Sequence, residues 1–397
     1  MFADLGEAPP SNAYLSPAAA DEPERRYPLR VLVCESCWLV QTEDFARADE
    51  LFQDDYAYFS SYSASWVAHA KRYVDDMAAR FGLGADSHMV EIAANDGYLL
   101  QFAKARGIPC LGVEPTAHTA EAARGRGVPI VQEFFGADLA RRLAAEGASA
   151  DLMTANNVLA HVPDINDFVA GFGALLKPEG VATFEFPHLL RLVAERQFDT
   201  LYHEHFSYLS LTSAASVFAS NGLSVFDVEE WPTHGGSLRV FVQRADTGRR
   251  QTTKRVASVL GAEAEAGVRD RGYYAGFQAS VEAVKDGFVE FLQGARAQGA
   301  KVAAYGAAAK GNTLMNYAGV TADQVLFVVD RNPAKQGRLM PGSRIPIVEE
   351  GRLRESRPDY VVILPWNLKD EIMSQLSYVK DWGGRFVVAS PETKVVG

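Results

Sequence analysis

Tyr202, His203, Glu204 and His205 stand side by side in the stretch LYHEHFSYLS of a chain that holds 8 histidines among its 397 residues. A phenol, two imidazoles and a carboxyl group at adjacent positions are an expensive way to fill a core, because every buried polar group needs a partner. The same groups suit proton transfer. Histidine titrates nearest to neutral pH, a tyrosine hydroxyl can donate to a developing oxyanion, and a carboxylate can orient either. A metal site fits less well: the two histidines lie two residues apart, a third ligand would have to come from elsewhere, and the H-E-x-x-H helix signature is absent. If the segment is extended, His203 alternates away from His205 and reads as a surface or structural residue.

A second constellation lies in VEIAANDGYLL, where a buried strand passes through Ala93, Ala94, Asn95, Asp96 and Gly97 into a helix. Small residues at such a turn let a ligand approach the backbone at a helix N-terminus. The G-x-G-x-x-G spacing is missing, which argues against a dinucleotide pyrophosphate. The next strand ends in Glu114 of LGVEP, placed to accept from a ribose diol. An adenosine-bearing ligand without a pyrophosphate fits this pair, and S-adenosylmethionine is the obvious one.

Two further turns carry polar groups. YGAAAKGNTLMN places Gly306, Lys310, Gly311 and Asn312 where a strand meets a helix; no G-K-[ST] follows, so the pattern suits anchoring a diphosphate and not nucleotide hydrolysis. HGGSLRVF offers His234, Gly235 and Arg239 as substrate contacts, although a glycine-rich strand start serves structure almost as well. The cysteines number three, and Cys34 and Cys37 form CESC between two apolar runs. This is half of a zinc knuckle, since a structural zinc takes four ligands.

These groups must be positioned by more than one core, because 397 residues exceed what a single core usually serves. Residues 1–60 read as a small unit with short strands, marginal by itself. Residues 61–250 alternate strands and helices, which implies a doubly wound, largely parallel α/β sheet. Residues 251–397 read as long linking helices followed by a second, smaller Rossmann-like α/β unit. The net charge of −11 argues against nucleic acid as a partner. With neither a membrane span nor a signal peptide evident, the expectation is a cytoplasmic protein, a monomer or weak oligomer.

The motifs DLGEAPPSNAYL, CESCWLVQ, DYAYFSSYS, VEIAANDGYLLQF, GVEP, NNVLAHVPD, EFPHL, YHEHFSYLS, HGGSLRVF and YGAAAKGNTLMNY occur in this order along essentially the whole chain. In them the sequence resembles the C-methyltransferases that act on nucleoside-diphosphate keto deoxysugars in antibiotic and surface-glycan pathways. The resemblance implies an N-terminal zinc-ribbon-like domain, a central S-adenosylmethionine domain and a C-terminal Rossmann-like domain. It implies a base that removes a proton beside the ketone: His205, with Glu204 orienting and Tyr202 donating to the enolate oxygen. His161 and Tyr56 match two more active-site positions. Ala93, Asn95, Asp96, Gly97, Glu114, Pro115 and Asn156 form the expected cofactor set.

Members of that family carry a first C-x-x-C ahead of the segment FADLGEAPPSNAYL. Only Cys34 and Cys37 match here, so an incomplete zinc site is the expectation. The reading that follows is methylation at carbon three of a nucleotide-linked 4-keto deoxysugar, in a cleft where the C-terminal unit holds the diphosphate through Lys310 and Asn312. An O- or N-methyltransferase, or a nucleotide-sugar binder without catalysis, are the alternatives.

Overall fold

The computed structural model describes residues 1–45 and 59–397. Near the N-terminus, β1 (Ala3–Ala8), β2 (Tyr27–Val33) and β3 (Val40–Thr42) form an antiparallel sheet. Helix α1 (Ala64–Phe81) follows. Ser63 caps it by accepting from the Trp66 amide at 3.3 Å, and Gly82 ends it in the left-handed conformation. Its apolar residues Trp66, Ala70, Tyr73, Val74 and Met77 recur at three- and four-residue spacing, so one face is buried against the central sheet.

That sheet is laid down by β4 (Met89–Ile92), α2 (Leu100–Ala105), β5 (Cys110–Val113), α3 (Ala117–Gly125), β6 (Ile130–Val131), α4 (Ala137–Ala145), β7 (Ala150–Asn156), α5 (Ile165–Leu175) and β8 (Leu176–Pro187). The short helix α6 (Leu189–Ala194) and the two-residue β9 (Ser207–Tyr208) come next, then α7 (Leu211–Ser220), β10 (Leu223–Trp231) and β11 (Ser237–Arg244). The strand order is β10-β11-β8-β7-β4-β5-β6: five parallel strands extended by an antiparallel hairpin. Met89, Val90 and Ile92 of β4 are buried between neighbouring parallel strands, which is why such a strand reads as a mostly apolar run.

The last part comprises α8 (Lys254–Ala266), α9 (Arg271–Ala275), α10 (Phe277–Ala297), β12 (Val302–Tyr305), α11 (Ala309–Tyr317), β13 (Val328–Val329), β14 (Ile347–Val348), α12 (Gly351–Ser356), β15 (Tyr360–Ile363), α13 (Lys369–Gln375), β16 (Arg385–Val388) and β17 (Lys394–Val396). Its sheet runs β14-β13-β12-β15-β16-β17, parallel except for β17.

Two features depart from the three units read in the sequence. Helix α8 is no linker to the last unit. Val256 and Val259 belong to the central core, and the buried Glu263 carboxylate accepts from the Leu211 and Thr212 amides at 2.6 and 2.8 Å, at the positive end of α7. Nor is the N-terminal sheet independent. Phe2, Leu5, Leu29 and Val31 share one core with Phe277, Val281 and Phe288 of α10 and with the last sheet, while β9 of the central unit pairs with β3. A sheet too small to bury its own face is completed by its neighbours.

Candidate active site

The stretch Leu201–Phe206 is clasped by all three parts of the molecule. Asn12 donates its amide to Glu204 Oε1 at 3.3 Å, and the Thr42 hydroxyl donates to the His205 carbonyl at 2.7 Å. The Phe206 amide donates to the Ala160 carbonyl at 2.7 Å, and Thr313 of α11 donates to the Leu201 carbonyl at 2.8 Å. Tyr202, His203, Glu204 and His205 are all buried. The segment is therefore no solvated loop.

His205 is fixed in one tautomer. Its Nδ1 lies 2.9 Å from the Thr200 carbonyl, which can only accept, so Nδ1 carries the hydrogen and Nε2 is the basic nitrogen. Nε2 faces the Tyr202 hydroxyl at 2.7 Å. His161, at the end of the short helical turn Leu159–His161 after β7, is held in the same way by the Glu204 carbonyl at 2.8 Å, and its ring meets that of His205 edge-on at 4.5 Å. Burial lowers both imidazoles, His161 to about 4 and His205 well below the usual histidine range. Both are neutral near pH 7, the form that can accept a proton.

Glu204 is 1% exposed, and Oε2 has no hydrogen-bond partner; burial raises its carboxyl to about 7. His203 turns away, its Nε2 facing the Tyr27 and Pro28 carbonyls at 3.2 and 3.3 Å, a structural tie to β2. Tyr56 lies outside the described residues.

His234 comes to this cluster from the turn between β10 and β11. It holds a left-handed backbone (φ 54°), which a non-glycine residue adopts only under constraint, and its ring meets Trp66 edge-on at 5.0 Å. Burial, and next the Lys310 cation, bring it down to about 4. Gly235 has a structural reason: a Cβ there would stand 2.5 Å from the Trp366 ring.

Two expected substrate contacts are corrected. Arg239 is 1% exposed and pairs with Glu185 at 2.8 Å, with its guanidinium over the Tyr73 and Trp231 rings. The Glu185 carboxylate also accepts from the Thr233 hydroxyl at 3.0 Å and faces His69 at 2.9 Å, so the pair braces the turn that presents His234. Glu185 falls to about 2: its partners His69 and Arg239 together outweigh burial, the largest single influence. Asn312 is equally enclosed and donates to the Ser11 carbonyl, pinning the N-terminal segment to α11.

The turn before Lys310 is also filled by the chain itself. The Ala307 amide donates to Asp330 Oδ2 at 2.8 Å, while Lys335 and Tyr14 donate to the Ala307 carbonyl at 2.8 and 2.6 Å. The Ala307 amide is thus taken by a carboxylate of the chain itself and is not open to an anion. The Lys310 amine instead donates to Asn367 Oδ1 at 3.3 Å and lies 4.7 Å from the centre of the Trp366 ring. The Trp366 indole in turn donates to Asp199 Oδ2 at 2.7 Å. Asp199, Trp366 and Asn367 were missed in the sequence reading, as was Asn157, whose left-handed backbone (φ 55°) follows β7 and whose side-chain amide lies 3.4 Å from His234 Nδ1.

At the β4 turn, Ala93 and Asn95 are left-handed (φ 56° and 47°), a conformation that costs a non-glycine residue about 1–3 kcal/mol and persists when its surroundings demand it. Glu114 is the clamp. Oε2 accepts from the Asn95 amide at 2.9 Å and Oε1 from the Thr116 amide at 3.0 Å. Asp96 is buried with neither oxygen hydrogen-bonded, although Arg126 lies 2.9 Å from Oδ2. Gly97 is left-handed (φ 75°) and packed against Ala123 and Val128, Pro115 is half-buried, and Asn156 is enclosed at the end of β7. Buried carboxylates of Asp96 and Glu114 beside a strained turn fit a ligand bearing a cationic amine and ribose hydroxyls, which S-adenosylmethionine has.

Cys34 and Cys37 lie in the turn from β2 to β3. The Cys37 and Ser36 amides lower the Cys34 thiol, whereas burial raises that of Cys37. Among the described residues no cluster of three or more histidine, cysteine or acidic side chains could hold a metal ion. Two thiols alone do not make a tetrahedral zinc site.

A parallel α/β sheet extended by an antiparallel hairpin, with a small-residue turn after its first strand and an acidic end to the second, defines an α/β methyltransferase. Family models agree along the chain: a zinc binding domain over residues 1–52, a methyltransferase domain over 66–228, and a C-methyltransferase C-terminal domain over 232–391. The C-methyltransferase NovU of Streptomyces niveus is 36% identical over 373 residues, covering 94% of this chain and 88% of that protein. The chain belongs to the C-methyltransferase family and is an S-adenosylmethionine-dependent enzyme. Among solved structures, magnesium protoporphyrin IX methyltransferase from Synechocystis PCC 6803 with bound SAH is 14% identical, with a TM-score of 0.36 over 45% of this chain and 83% of that one. An S-adenosylmethionine-dependent methyltransferase from Mesorhizobium loti is 16% identical, with a TM-score of 0.36 over 45% of this chain and all of that one. Among the described residues no helix is long and apolar enough to cross a membrane.

Proposed function

We propose that this C-methyltransferase methylates carbon three of a nucleoside-diphosphate-linked 4-keto deoxysugar through an enolate formed by His205. Carbon beside a ketone becomes nucleophilic only after losing a proton, so the reaction needs a base and a means of holding charge on the carbonyl oxygen. The observation that carries the reading is the neutral His205 ring, fixed by Thr200 so that Nε2 is basic, with the Tyr202 hydroxyl 2.7 Å from that nitrogen. As substrate enters, the Tyr202 hydroxyl moves from His205 to the ketone oxygen, leaving Nε2 facing the carbon acid. Glu204 stays protonated below about pH 7 and adds no negative charge beside the enolate. His161, whose ring meets that of His205 edge-on, orients the substrate.

When bound at Ala93–Gly97, Glu114 and Asn156, S-adenosylmethionine supplies an electrophilic methyl group on a sulfonium. The nucleotide portion has room in a cavity of about 640 Å³ between the central and last sheets, reached past Gly235 and Trp366 and bordered by Arg191, Lys369 and Lys394.

The test is turnover and deuterium wash-in at the sugar carbon, followed by proton NMR in heavy water over a panel of nucleotide-linked keto sugars. Wild-type enzyme exchanges and methylates at least one member, and His205→Asn abolishes the exchange. Exchange that persists in His205→Asn would remove His205 as the base. Methylation of a hydroxyl or amine without exchange would replace the enolate reading.

A further inference from the structure

Lys310 is a cation placed where no ion-pair partner reaches its amine within 4 Å among the described residues, yet its surroundings are built for it. Asn367 accepts from it at 3.3 Å, and the Trp366 ring lies beneath it at 4.7 Å. The same indole donates to Asp199 Oδ2 at 2.7 Å, so Trp366 holds the cation on its face and the carboxylate on its edge. Asp199 is 2% exposed, and Oδ1 has no hydrogen-bond partner. Trp366 packs on Gly235, next to His234, and Asp199 precedes Thr200, whose carbonyl holds His205, so the amine stands beside both imidazoles, and its charge lowers both. Burial lowers the amine itself and Asp199 raises it. The titratable groups facing Lys310 are therefore Asp199, His205 and His234, and the Ala307 amide of the turn before it is taken by Asp330.

We propose that Lys310 is a catalytic residue whose ammonium group, held by Asn367 and Trp366, stabilises the enolate oxygen while the substrate carbon loses its proton. The inference rests on the enolate reading above. In the step, the carbon–hydrogen bond breaks and its proton goes to the imidazole. The electron pair it leaves forms the new carbon–carbon double bond, and the carbonyl π pair moves onto oxygen. The new negative charge forms beside a fixed positive one. An ammonium group that meets charge only as it develops favours the transition state over the ground state, and so acts on turnover more than on substrate affinity.

The experiment compares wild type, Lys310→Met and Lys310→Arg, each first shown to bind S-adenosylhomocysteine as wild type does. Deuterium wash-in is read at saturating keto sugar, chosen as the panel member that wild type exchanges fastest, and affinities for uridine and thymidine diphosphate are read by calorimetry. The expected result is a fall of about a hundredfold or more in exchange for Lys310→Met, partial recovery in Lys310→Arg, and diphosphate affinities within threefold of wild type. A diphosphate affinity lowered tenfold or more with exchange at saturation intact would overturn the proposal and return Lys310 to an anchoring role. If wild type exchanges no member of the panel, the enolate reading falls and this role with it, whereas exchange by wild type that is undiminished in Lys310→Met removes the Lys310 role alone. A further readout needs no substrate: imidazole NMR titration of His205 and His234 moves upward in pH in Lys310→Met, and unmoved titrations would place the amine outside the catalytic pocket and sink the proposal.

Discussion

The Tyr202 hydroxyl and His205 Nε2 stand 2.7 Å apart, and because Thr200 holds the hydrogen on Nδ1, the phenol is the donor in this pair. Three residues apart in sequence, they are a base and an acid already in contact. Tyr202→Phe removes the donor while leaving the imidazole in its tautomer. The expected outcome is a loss of about 10²–10³-fold in wash-in and turnover, the usual cost of deleting one oxyanion donor, with the His205 Nδ1–H signal retained in nitrogen NMR. Unchanged exchange would assign the hydroxyl a purely structural role.

Glu204 makes stability depend on pH in an unusual direction. Its folded value of about 7 lies above the ordinary 4.5, because burial outweighs the Asn12 amide. The folded protein therefore holds a proton that the unfolded chain has released. The stability this contributes is complete below about pH 4.5 and is lost as pH rises through 7. Glu204→Gln lacks this loss. The difference in unfolding free energy between variant and wild type grows in favour of the variant by about 3 kcal/mol from pH 4 to pH 8, read by denaturant unfolding at both pH values. The buried histidines cancel in the difference. A constant difference across that range would show that Glu204 ionises normally.

Glu114 clamps the strained β4 turn through the Asn95 amide. If it also accepts from the ribose of the methyl donor, Glu114→Ala weakens S-adenosylmethionine binding by about 1–3 kcal/mol, and Glu114→Gln, which keeps one acceptor, weakens it less. Calorimetry measures both. Equal affinity in all three proteins would take Glu114 out of the cofactor site.

The legible parts of the fold were those written locally. Strand MVEI, the small residues Ala93–Gly97 and Glu114 lie within one α/β unit, so period and spacing sufficed. Tyr202, Glu204 and His205 were conspicuous because polar residues interrupt an otherwise apolar stretch. What stayed hidden depends on partners far apart in sequence. Arg239 reads as a substrate contact because Glu185, 54 residues earlier, and His69, on helix α1, give no local sign that they will meet it. The surroundings of Lys310 stayed hidden for the same reason: Asp330, just after the next strand, takes the Ala307 amide, and Asp199 and Trp366, 167 residues apart, meet beside the amine. Helix α8 has an amphipathic pattern that says it packs but not on which sheet, and only Glu263 against α7 decides it.

Metal content follows from the ligand count. Cys34 and Cys37 supply two thiols, and the described residues bring no third metal ligand to them. Purified protein is expected to carry well under one zinc per chain by elemental analysis, and to lose it to a mild chelator without a change in the central unit's S-adenosylmethionine affinity. One tightly retained zinc per chain would require ligands beyond this pair.

Arg239 gives the sharpest separation between structure and substrate binding. Its guanidinium is paired with Glu185, stacked between Tyr73 and Trp231, and closed to solvent. Removing one member of a buried pair leaves the other charged without compensation, which costs about 3–5 kcal/mol, whereas removing both can be close to neutral. Arg239→Met should therefore lower the unfolding free energy by about that amount, and Arg239→Met combined with Glu185→Gln should recover much of it. The fluorescence of Trp231, whose ring lies 4.6 Å from the guanidinium carbon, is a suitable probe of the local change. Because Glu185 also holds Thr233, the single variant should loosen the His234 turn and reduce turnover, while nucleoside diphosphate affinity stays close to wild type. A stable Arg239→Met protein whose only defect is a raised Michaelis constant for the sugar nucleotide would mean that Arg239 reaches the substrate, and that the buried pair opens when the substrate binds.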